Sequence, residues 1–138
     1  LERNGLQCYS GLIVGEDWTK PDFDTLINHL NAFEHPLVNI QPLTPMPGTP
    51  LFDEYSYEIT EKRENYACWD MAHVVFKPVK MNKRLYYYHI VRAYLKTSAN
   101  AKQRKFIKER YGKRVYNRVK QGATKIFFQY LKLMIFSK

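Results

Sequence analysis

A cluster of four prolines directly follows a short apolar run, in the stretch QPLTPMPGTP of residues 41–50. Proline has no backbone N–H and fixes its own φ angle, and it also favours extended conformations for the residue before it. A strand formed by the run LVNIQPL of residues 37–43 must therefore end by about Leu43. The loop after this strand is expected to be stiff and extended.

A strand, a helix and a second strand are predicted over residues 6–43. The run LQCYSGLIVG of residues 6–15 has the continuous apolar pattern of a buried strand in a parallel sheet. Thr19 and Asp22 form a capping-box pattern with Pro21 in the first helical turn, and Pro36 is expected to end the helix. Its apolar face comprises Phe23, Leu26, Ile27, Leu30 and Phe33. Two strands joined in this way form a parallel crossover unit.

The proline loop has two possible roles. A rigid loop at the carboxyl end of a parallel strand lies where α/β folds bind ligands. The alternative is a polyproline segment on the surface that binds an SH3-like partner. Because the apolar strand runs directly into the loop, the sequence favours the ligand-side position.

The rest of the chain is predicted to be a linker followed by helices. Residues 56–65 are polar, and the aromatic-rich stretch YACWDMAHVVFKP of residues 66–78 is expected to pack over the sheet with a short strand. Asn82 can cap a helix that begins at Lys83. The buried stripe of this helix is expected to comprise Tyr87, Ile90, Val91, Tyr94 and Leu95.

Two further helices are predicted beyond this one. The first opens at Ser98 and is closed by Gly112, with Phe106 and Ile107 as its apolar contacts. The second covers residues 113–136, and Gly122 weakens its middle. One face of this last helix carries Val115, Val119, Ala123, Ile126 and Tyr130.

Charge divides the chain into two unequal halves. Residues 1–78 contain 5 Lys and Arg against 12 Asp and Glu, a net charge of −7, whereas residues 79–138 contain 17 Lys and Arg against Glu109 alone, a net charge of +16. A helical cap that packs on further domains is the favoured interpretation of the basic half. Docking to an anionic membrane surface through IFFQYLKLMIF of residues 126–136 comes second, and nucleic-acid binding third.

No catalytic residue set and no metal site are predicted. The histidines His29, His35, His73 and His89 are scattered, and no Gly-x-Ser-x-Gly, His-Glu-x-x-His or P-loop motif is present. Cys8 and Cys68 give neither a disulfide framework nor a metal-ligand spacing, which favours buried thiols. No apolar stretch is long enough to span a bilayer and no signal peptide is visible, so a cytoplasmic protein is expected, with a peripheral membrane location as the variant.

Three segments together resemble a known family. The stretches GLIVG, LTPMPGTPLFDEY and WDMAHVVFKPVKM, the last running into a tyrosine-rich helix, resemble the C-terminal part of radical S-adenosylmethionine enzymes. The most similar group carries an N-terminal cobalamin-binding domain and comprises iron–sulfur oxidoreductases and methyltransferase-like proteins. The resemblance covers residues 6–95. It implies an α/β fold in which residues 1–60 are the terminal strand–helix–strand of a partial (β/α) barrel, residues 61–82 a linker and packing segment, and residues 83–138 a basic helical extension.

The resemblance also implies a cofactor site. Gly11, Ile13 and Gly15 match the strand that lines the adenine of S-adenosylmethionine, and the backbone of Leu43 and Thr44 matches the part of the last strand that meets the same ring. The family often has an acid three residues after its second glycine, where this sequence has a tryptophan. Enzymes of this kind hold a 4Fe-4S cluster through a CxxxCxxC triplet, which two cysteines cannot supply.

The chain is therefore expected to be a C-terminal piece of a larger enzyme and to be inactive alone. Its first residue, Leu1, is not methionine, which favours the same interpretation. S-adenosylmethionine, the 4Fe-4S cluster and cobalamin would belong to the parent enzyme and none would be held by this chain alone, and the upstream barrel and cobalamin domains would be its partners. The isolated piece would expose a strand edge and is expected to self-associate. The alternative is a stand-alone basic module that binds an anionic membrane surface or RNA.

Overall fold

The computed structural model describes residues 9–33 and 37–136 of the chain. In these two ranges the elements are β1 (Tyr9–Val14), α1 (Lys20–Asn31), β2 (Leu37–Pro42), α2 (Pro50–Glu54), α3 (Lys83–Thr97) and α4 (Ala101–Phe136). A short 3-10 turn, Tyr66–Cys68, lies between α2 and α3. Residues 6–8 of the predicted first strand, and also His35 and Pro36, lie outside the described residues.

The two strands form a small parallel sheet, which confirms the predicted crossover unit. Leu12 pairs with Ile40 and Val14 with Pro42. These side chains point to the core, where Val14 and Ile40 are fully buried. The chain thus combines helices with a two-stranded parallel sheet and a long C-terminal helix.

Helix α1 begins with the predicted capping box. The backbone N–H of Thr19 donates to the Asp22 carboxylate at 2.8 Å, which satisfies a backbone group at the helix start. Most of the predicted apolar face is confirmed, since Phe23, Ile27 and Leu30 are buried and Leu26 is partly buried against the core. Phe33 was wrongly included. The helix ends at Asn31, so Phe33 lies beyond its last turn and is 44% exposed.

Tyrosine hydroxyls from α3 satisfy backbone groups of the sheet and of the segment before α3, where Tyr87 accepts from the backbone N–H of Val74 at 2.7 Å. The Tyr86 hydroxyl lies 2.9 Å from the carbonyl oxygens of both Val14 and Gly15, at the end of β1. The Tyr94 hydroxyl accepts from the backbone N–H of Ile40 at 2.7 Å and also lies 2.9 Å from the Ile40 carbonyl oxygen. In a parallel strand the N–H and C=O of one residue point to the same side. Helix α3 therefore covers the edge of β2 that faces away from β1.

The buried surface of α3 is wider than the predicted stripe. Tyr87 and Ile90 are buried as expected, whereas Leu95 is 50% exposed and was wrongly assigned to the core. Helix α3 packs on α1 and β2 with one face and on α4 with another. The face toward α1 also buries residues that the sequence did not indicate, since the rings of Tyr86 and His89 lie 5.8 Å and 5.1 Å from that of Phe23 in α1, and Ala93 is buried as well.

The segment between α2 and α3 packs on the core, as predicted for residues 66–78. Trp69, Val74, Val75 and Phe76 are buried. In place of the expected short strand there is one antiparallel bridge between Ile59 and Phe76.

Helix α4 bends sharply at Gly112, where the backbone φ angle is 79°. This positive φ angle suits glycine and confirms the predicted break between two helices. The first of them begins at Ala101 rather than Ser98, because Ser98 ends α3 and the Asn100 side chain accepts from the backbone N–H of Gln103 at 2.8 Å. Ile107 is buried, as expected for its apolar contact.

A buried histidine lies between α1 and α3. His89 is 3% exposed and stacks on Phe23, with ring centroids 5.1 Å apart. Its Nδ1 has no hydrogen-bond partner within residues 9–33 and 37–136. Burial lowers the pKa of His89 below its usual value, and the charges of Arg92 and Lys20 lower it further while Asp24 opposes them. The folded protein therefore favours the neutral imidazole.

This burial predicts an acid-sensitive fold. Because the unfolded chain protonates His89 at a higher pH than the folded chain does, the free energy of unfolding should fall as the pH drops below about 6.5. His89→Phe should make stability less dependent on pH between about pH 7 and pH 5, above the range where carboxylates titrate. Urea denaturation at several pH values measures this, with the exposed His29→Phe as the control. An unchanged pH dependence in His89→Phe would show that another group is responsible.

Candidate functional site

The carboxyl ends of the two strands lie side by side, and the proline loop leaves from the second of them. The backbone N–H of Leu43 donates to the carbonyl oxygen of Val14 at 2.9 Å. This bond brings Gly15, at the end of β1, next to Leu43 and Thr44. The structure therefore places together the two segments that the sequence had matched to one cofactor site.

The proline loop is fixed by its own hydrogen bonds. The backbone N–H of Thr49 donates to the Met46 carbonyl oxygen at 3.2 Å, which closes a β-turn with Pro47 second and Gly48 third. Gly48 has a φ angle of 87°, so the turn has the proline and glycine positions of type II. Thr49 then caps α2 by accepting from the backbone N–H of Phe52 at 3.3 Å. The predicted end of the strand is confirmed, and these bonds make the loop stiff.

Two glycines that look alike in the sequence occupy different surroundings. A Cβ atom at Gly15 would lie 3.1 Å from both the Trp18 ring and the Asp17 carboxylate. Packing within the chain therefore explains this glycine. A Cβ atom at Gly11 would meet no atom of the described residues within 4 Å. A glycine inside a strand weakens it and often marks a place where a ligand or another backbone approaches closely.

Gly11 forms the floor of a gap on the open face of the sheet. Side chains alternate along a strand, so Tyr9, Gly11 and Ile13 share this face. Tyr9 is 69% exposed and Ile13 is 65% exposed, so two apolar side chains border the gap. The strand register places Asn39 and Gln41 of β2 beside Gly11 and Ile13. A flat ring could lie over Gly11 against the backbone.

Acidic groups lie at the end of β1. The Tyr55 hydroxyl donates to the Glu16 carboxylate at 3.4 Å, and the charge of Glu16 raises the pKa of Tyr55. Trp18 occupies the position where the resembled family often has an acid. Its ring packs against Phe23, with centroids 5.1 Å apart, so Trp18 is partly buried against the core. The carboxylates nearest in sequence to this position are Glu16 and Asp17.

A cavity of about 840 Å³ adjoins the same face of the sheet. Asn39 and Gln41 line it from β2, and the loop of residues 70–74 and the end of α4 line its other sides. Because Asn39 and Gln41 are the register partners of Gly11 and Ile13, the cavity and the gap lie on one continuous surface. A volume of this size fits a small organic molecule.

An aspartate–histidine pair lies in the wall of this cavity. The Asp70 carboxylate accepts from the backbone N–H groups of Ala72 and His73 at 2.9 Å each, and it lies 2.8 Å from His73 Nδ1. Partial burial raises the pKa of Asp70, but these hydrogen bonds outweigh it and the pKa lies below its usual value. Met71, between the two, has a φ angle of 61°. The pair can hold the imidazole in one orientation, which suits proton transfer to a bound molecule.

A half-buried lysine also lines the cavity. Lys83 Nζ donates to Thr60 Oγ1 at 2.7 Å. Burial lowers the pKa of Lys83, although the negative charge of Glu61 opposes this. Lys83, Glu61 and the Asp70–His73 pair give the cavity both charge signs beside its apolar walls, so a polar molecule could be oriented in it.

Neither a metal centre nor a membrane span is evident in the described part of the chain. No three His, Cys, Asp or Glu side chains of residues 9–33 and 37–136 lie close enough together to hold a metal ion. None of the helices in these ranges combines the length and the apolar character needed to cross a bilayer. Cys68 is partly buried, Asn65 donates to its sulfur at 3.1 Å, and burial raises the pKa of the thiol. Cys8 lies outside the described residues.

Sequence patterns indicated some of this surface and missed the rest. Gly15, Leu43 and Thr44 lie at the carboxyl ends of the two strands, whereas Gly11 and Ile13 are the third and fifth of the six residues of β1. The Asp70–His73 pair was missed, although its Asp-x-x-His spacing in DMAH was a usable signal. The positions of Asn39 and Gln41 beside the cavity depend on packing between distant segments, for which no local pattern exists.

The chain was also compared with known proteins. No protein-family model, no curated protein and no solved structure matches it.

Proposed function

We propose that this chain is the C-terminal portion of a radical S-adenosylmethionine enzyme. The open face of β1 would form the adenine side of the cofactor site, and α3 and α4 would form a helical cap. The observation that carries the proposal is Gly11, an interior strand glycine over which no atom of the described chain lies. Adenine is flat and apolar on its faces, so it fits a gap with a backbone floor and apolar borders.

The carboxyl ends of the strands offer the polar part of such a site. The ring edge of adenine has both donors and acceptors; since the Leu43 N–H already donates to Val14, the Leu43 carbonyl and the Thr44 backbone would meet it. Leu43 and Thr44 follow β2 at this end of the sheet, and the stiff proline loop holds their backbone in place. Ligands of open α/β sheets bind at this end.

The two edges of the sheet support the proposal that these strands belong to a larger barrel. Tyr94 covers the outer edge of β2, whereas β1 has no second neighbouring strand within the described ranges. Parallel sheets are normally larger than two strands and covered on both faces. The sheet can therefore extend only beyond β1, where the preceding strands of a partial (β/α) barrel would pair. In the isolated chain the same edge would promote self-association.

The cofactors of the proposed enzyme are divided between this chain and its parent. S-adenosylmethionine would contact this chain through Gly11, Ile13, Gly15, Leu43 and Thr44. A 4Fe-4S cluster needs a cysteine triplet that this sequence lacks, so the cluster and cobalamin would be held by upstream domains. We place the enzyme in the cytoplasm, where thiols are kept reduced.

The natural coding sequence that contains these residues tests the proposal. We expect its reading frame to continue upstream of Leu1 through a CxxxCxxC triplet. The complete product, purified without oxygen and loaded with iron and sulfide, should cleave S-adenosylmethionine to 5′-deoxyadenosine, whereas the chain of 138 residues should not. A start codon directly before Leu1, or a complete product that holds no cluster, would overturn the proposal.

A further inference from the structure

The second half of α4 contains a long exposed segment, residues 113–129, which we call the arm. It begins directly after the bend at Gly112, and within it every residue except Tyr116 is exposed. The helix returns to the core just beyond the arm. Tyr130 is 7% exposed, with its ring centroid 6.1 Å from that of Tyr87, and Leu133 and Met134 also pack on the core.

The arm carries an apolar stripe that nothing in the described chain covers. Val115, Val119, Ala123 and Ile126 follow one another at helical spacing, which places them on one face. The exposed fractions are 41% for Val115, 46% for Val119 and 51% for Ile126. Single exposed apolar residues are ordinary, but a continuous apolar stripe on an otherwise exposed helix marks an interaction surface.

Cations border this stripe on both sides. At 3.6 residues per turn, Arg118 lies along one border and Lys120 along the other. Residues 113–136 contain six Lys and Arg and no Asp or Glu. A partner that fits the arm must therefore be anionic next to the cations and apolar under the stripe.

We infer that the arm docks on an anionic lipid bilayer, with the stripe in the acyl boundary and the cations among the phosphate headgroups. An amphipathic helix with a basic polar face lies in the plane of such a surface, and each cation near an anionic leaflet adds attraction. Nucleic acid would use the cations but would leave the stripe exposed to water. The inference does not depend on the proposed cofactor site, although Ile126, at the end of the stripe, also lines the cavity beside that site.

The exposed apolar surface of α4 lies upstream of the stretch in which the sequence pattern had placed the membrane contact. The sequence pattern had assigned it to residues 126–136, because this end of the helix is the most apolar. Tyr130, Leu133 and Met134 of that stretch instead pack on the core beside α3. The stripe that remains exposed lies mostly upstream, between Val115 and Ile126.

Sedimentation of the chain with lipid vesicles tests the inference. The chain should bind vesicles that contain phosphatidylglycerol, should bind pure phosphatidylcholine vesicles much more weakly, and should be released progressively as salt is added. Equal binding to both vesicle types, or no binding to either, would overturn the inference. Binding to single-stranded RNA without binding to vesicles would overturn it as well.

A pair of matched double variants separates the stripe from the charges. Val119→Glu with Ile126→Glu adds two negative charges on the stripe, and Asn117→Glu with Thr124→Glu adds the same charges on the opposite, exposed face. The stripe variant should bind anionic vesicles at least about tenfold more weakly than the control variant. Circular dichroism would verify that both remain helical.

Two results with these variants would contradict the inference. If both lose affinity equally, the contact is purely electrostatic and the stripe has no part in it. If the stripe variant changes only the self-association seen by analytical ultracentrifugation, with vesicle binding unaltered, then a second copy of the chain covers the stripe.

Discussion

Replacing Phe23 with alanine is expected to lower the free energy of unfolding by about 3–5 kcal/mol. Phe23 is fully buried, and its ring lies 5.1 Å from that of Trp18 and 5.8 Å from that of Tyr86. Phe23, which belongs to α1, therefore packs against both the turn after β1 and helix α3. The alanine variant would leave a cavity where these three elements meet.

Urea denaturation of matched variants measures this effect. Phe33→Ala removes the same atoms from a side chain that is 44% exposed, and it should cost less than about 1 kcal/mol. Since small domains have only about 5–15 kcal/mol of stability, Phe23→Ala could unfold much of the chain. Phe23→Leu, which keeps most of the volume, should then give a smaller measurable loss. Equal losses for Phe23→Ala and Phe33→Ala would show that the core is elsewhere.

Replacing Gly11 with valine is expected to weaken binding of S-adenosylmethionine at least about tenfold, because the new side chain would fill the gap above the backbone. The fold should tolerate the change. A Cβ atom at this position meets no described atom within 4 Å, and valine favours strands more than glycine does. The free energy of unfolding should therefore stay the same or rise.

Ser10→Val is the matched control for Gly11→Val. Ser10 is the neighbouring residue in β1, so its side chain points to the other face of the sheet. Equilibrium dialysis of the complete product, loaded with its cluster, against labelled S-adenosylmethionine should give unchanged binding for Ser10→Val and a clear loss for Gly11→Val. If both variants bind as the wild-type chain does, adenine does not lie over Gly11. An equal loss in both would indicate a general disturbance of β1.

The local signals in the sequence predicted much of the fold. The capping box at Thr19, the end of β2 before the proline loop, the Asn82 cap of α3 and the break at Gly112 each depend on residues close together in the chain. Backbone geometry at such positions is set by the residue itself and its neighbours, so the local sequence is enough to predict it. The burial of Tyr86 and His89 could not be predicted in this way, because α3 packs on two sides and only one stripe was evident.

The candidate site likewise combines features that the local sequence predicted with features that depend on tertiary packing. The sequence marked Gly11 and Gly15 as equals, and only the packing of Trp18 against Gly15 distinguishes them. The cavity combines residues near positions 40, 70 and 130, whose approach depends on tertiary packing. Apolar periodicity likewise placed Val115 and Ile126 on one face of α4 but did not indicate that this face is uncovered.

Hydrogen–deuterium exchange of the complete product, loaded with its cluster and measured with and without S-adenosylmethionine, tests the proposed adenine face most directly. Protection that saturates with the cofactor is expected at Gly11, Ile13 and Gly15, and at Leu43 and Thr44 at the strand ends, and it should be absent in Gly11→Val. Protection confined to the arm, or none that saturates, would contradict the assignment of a cofactor site to this end of the sheet.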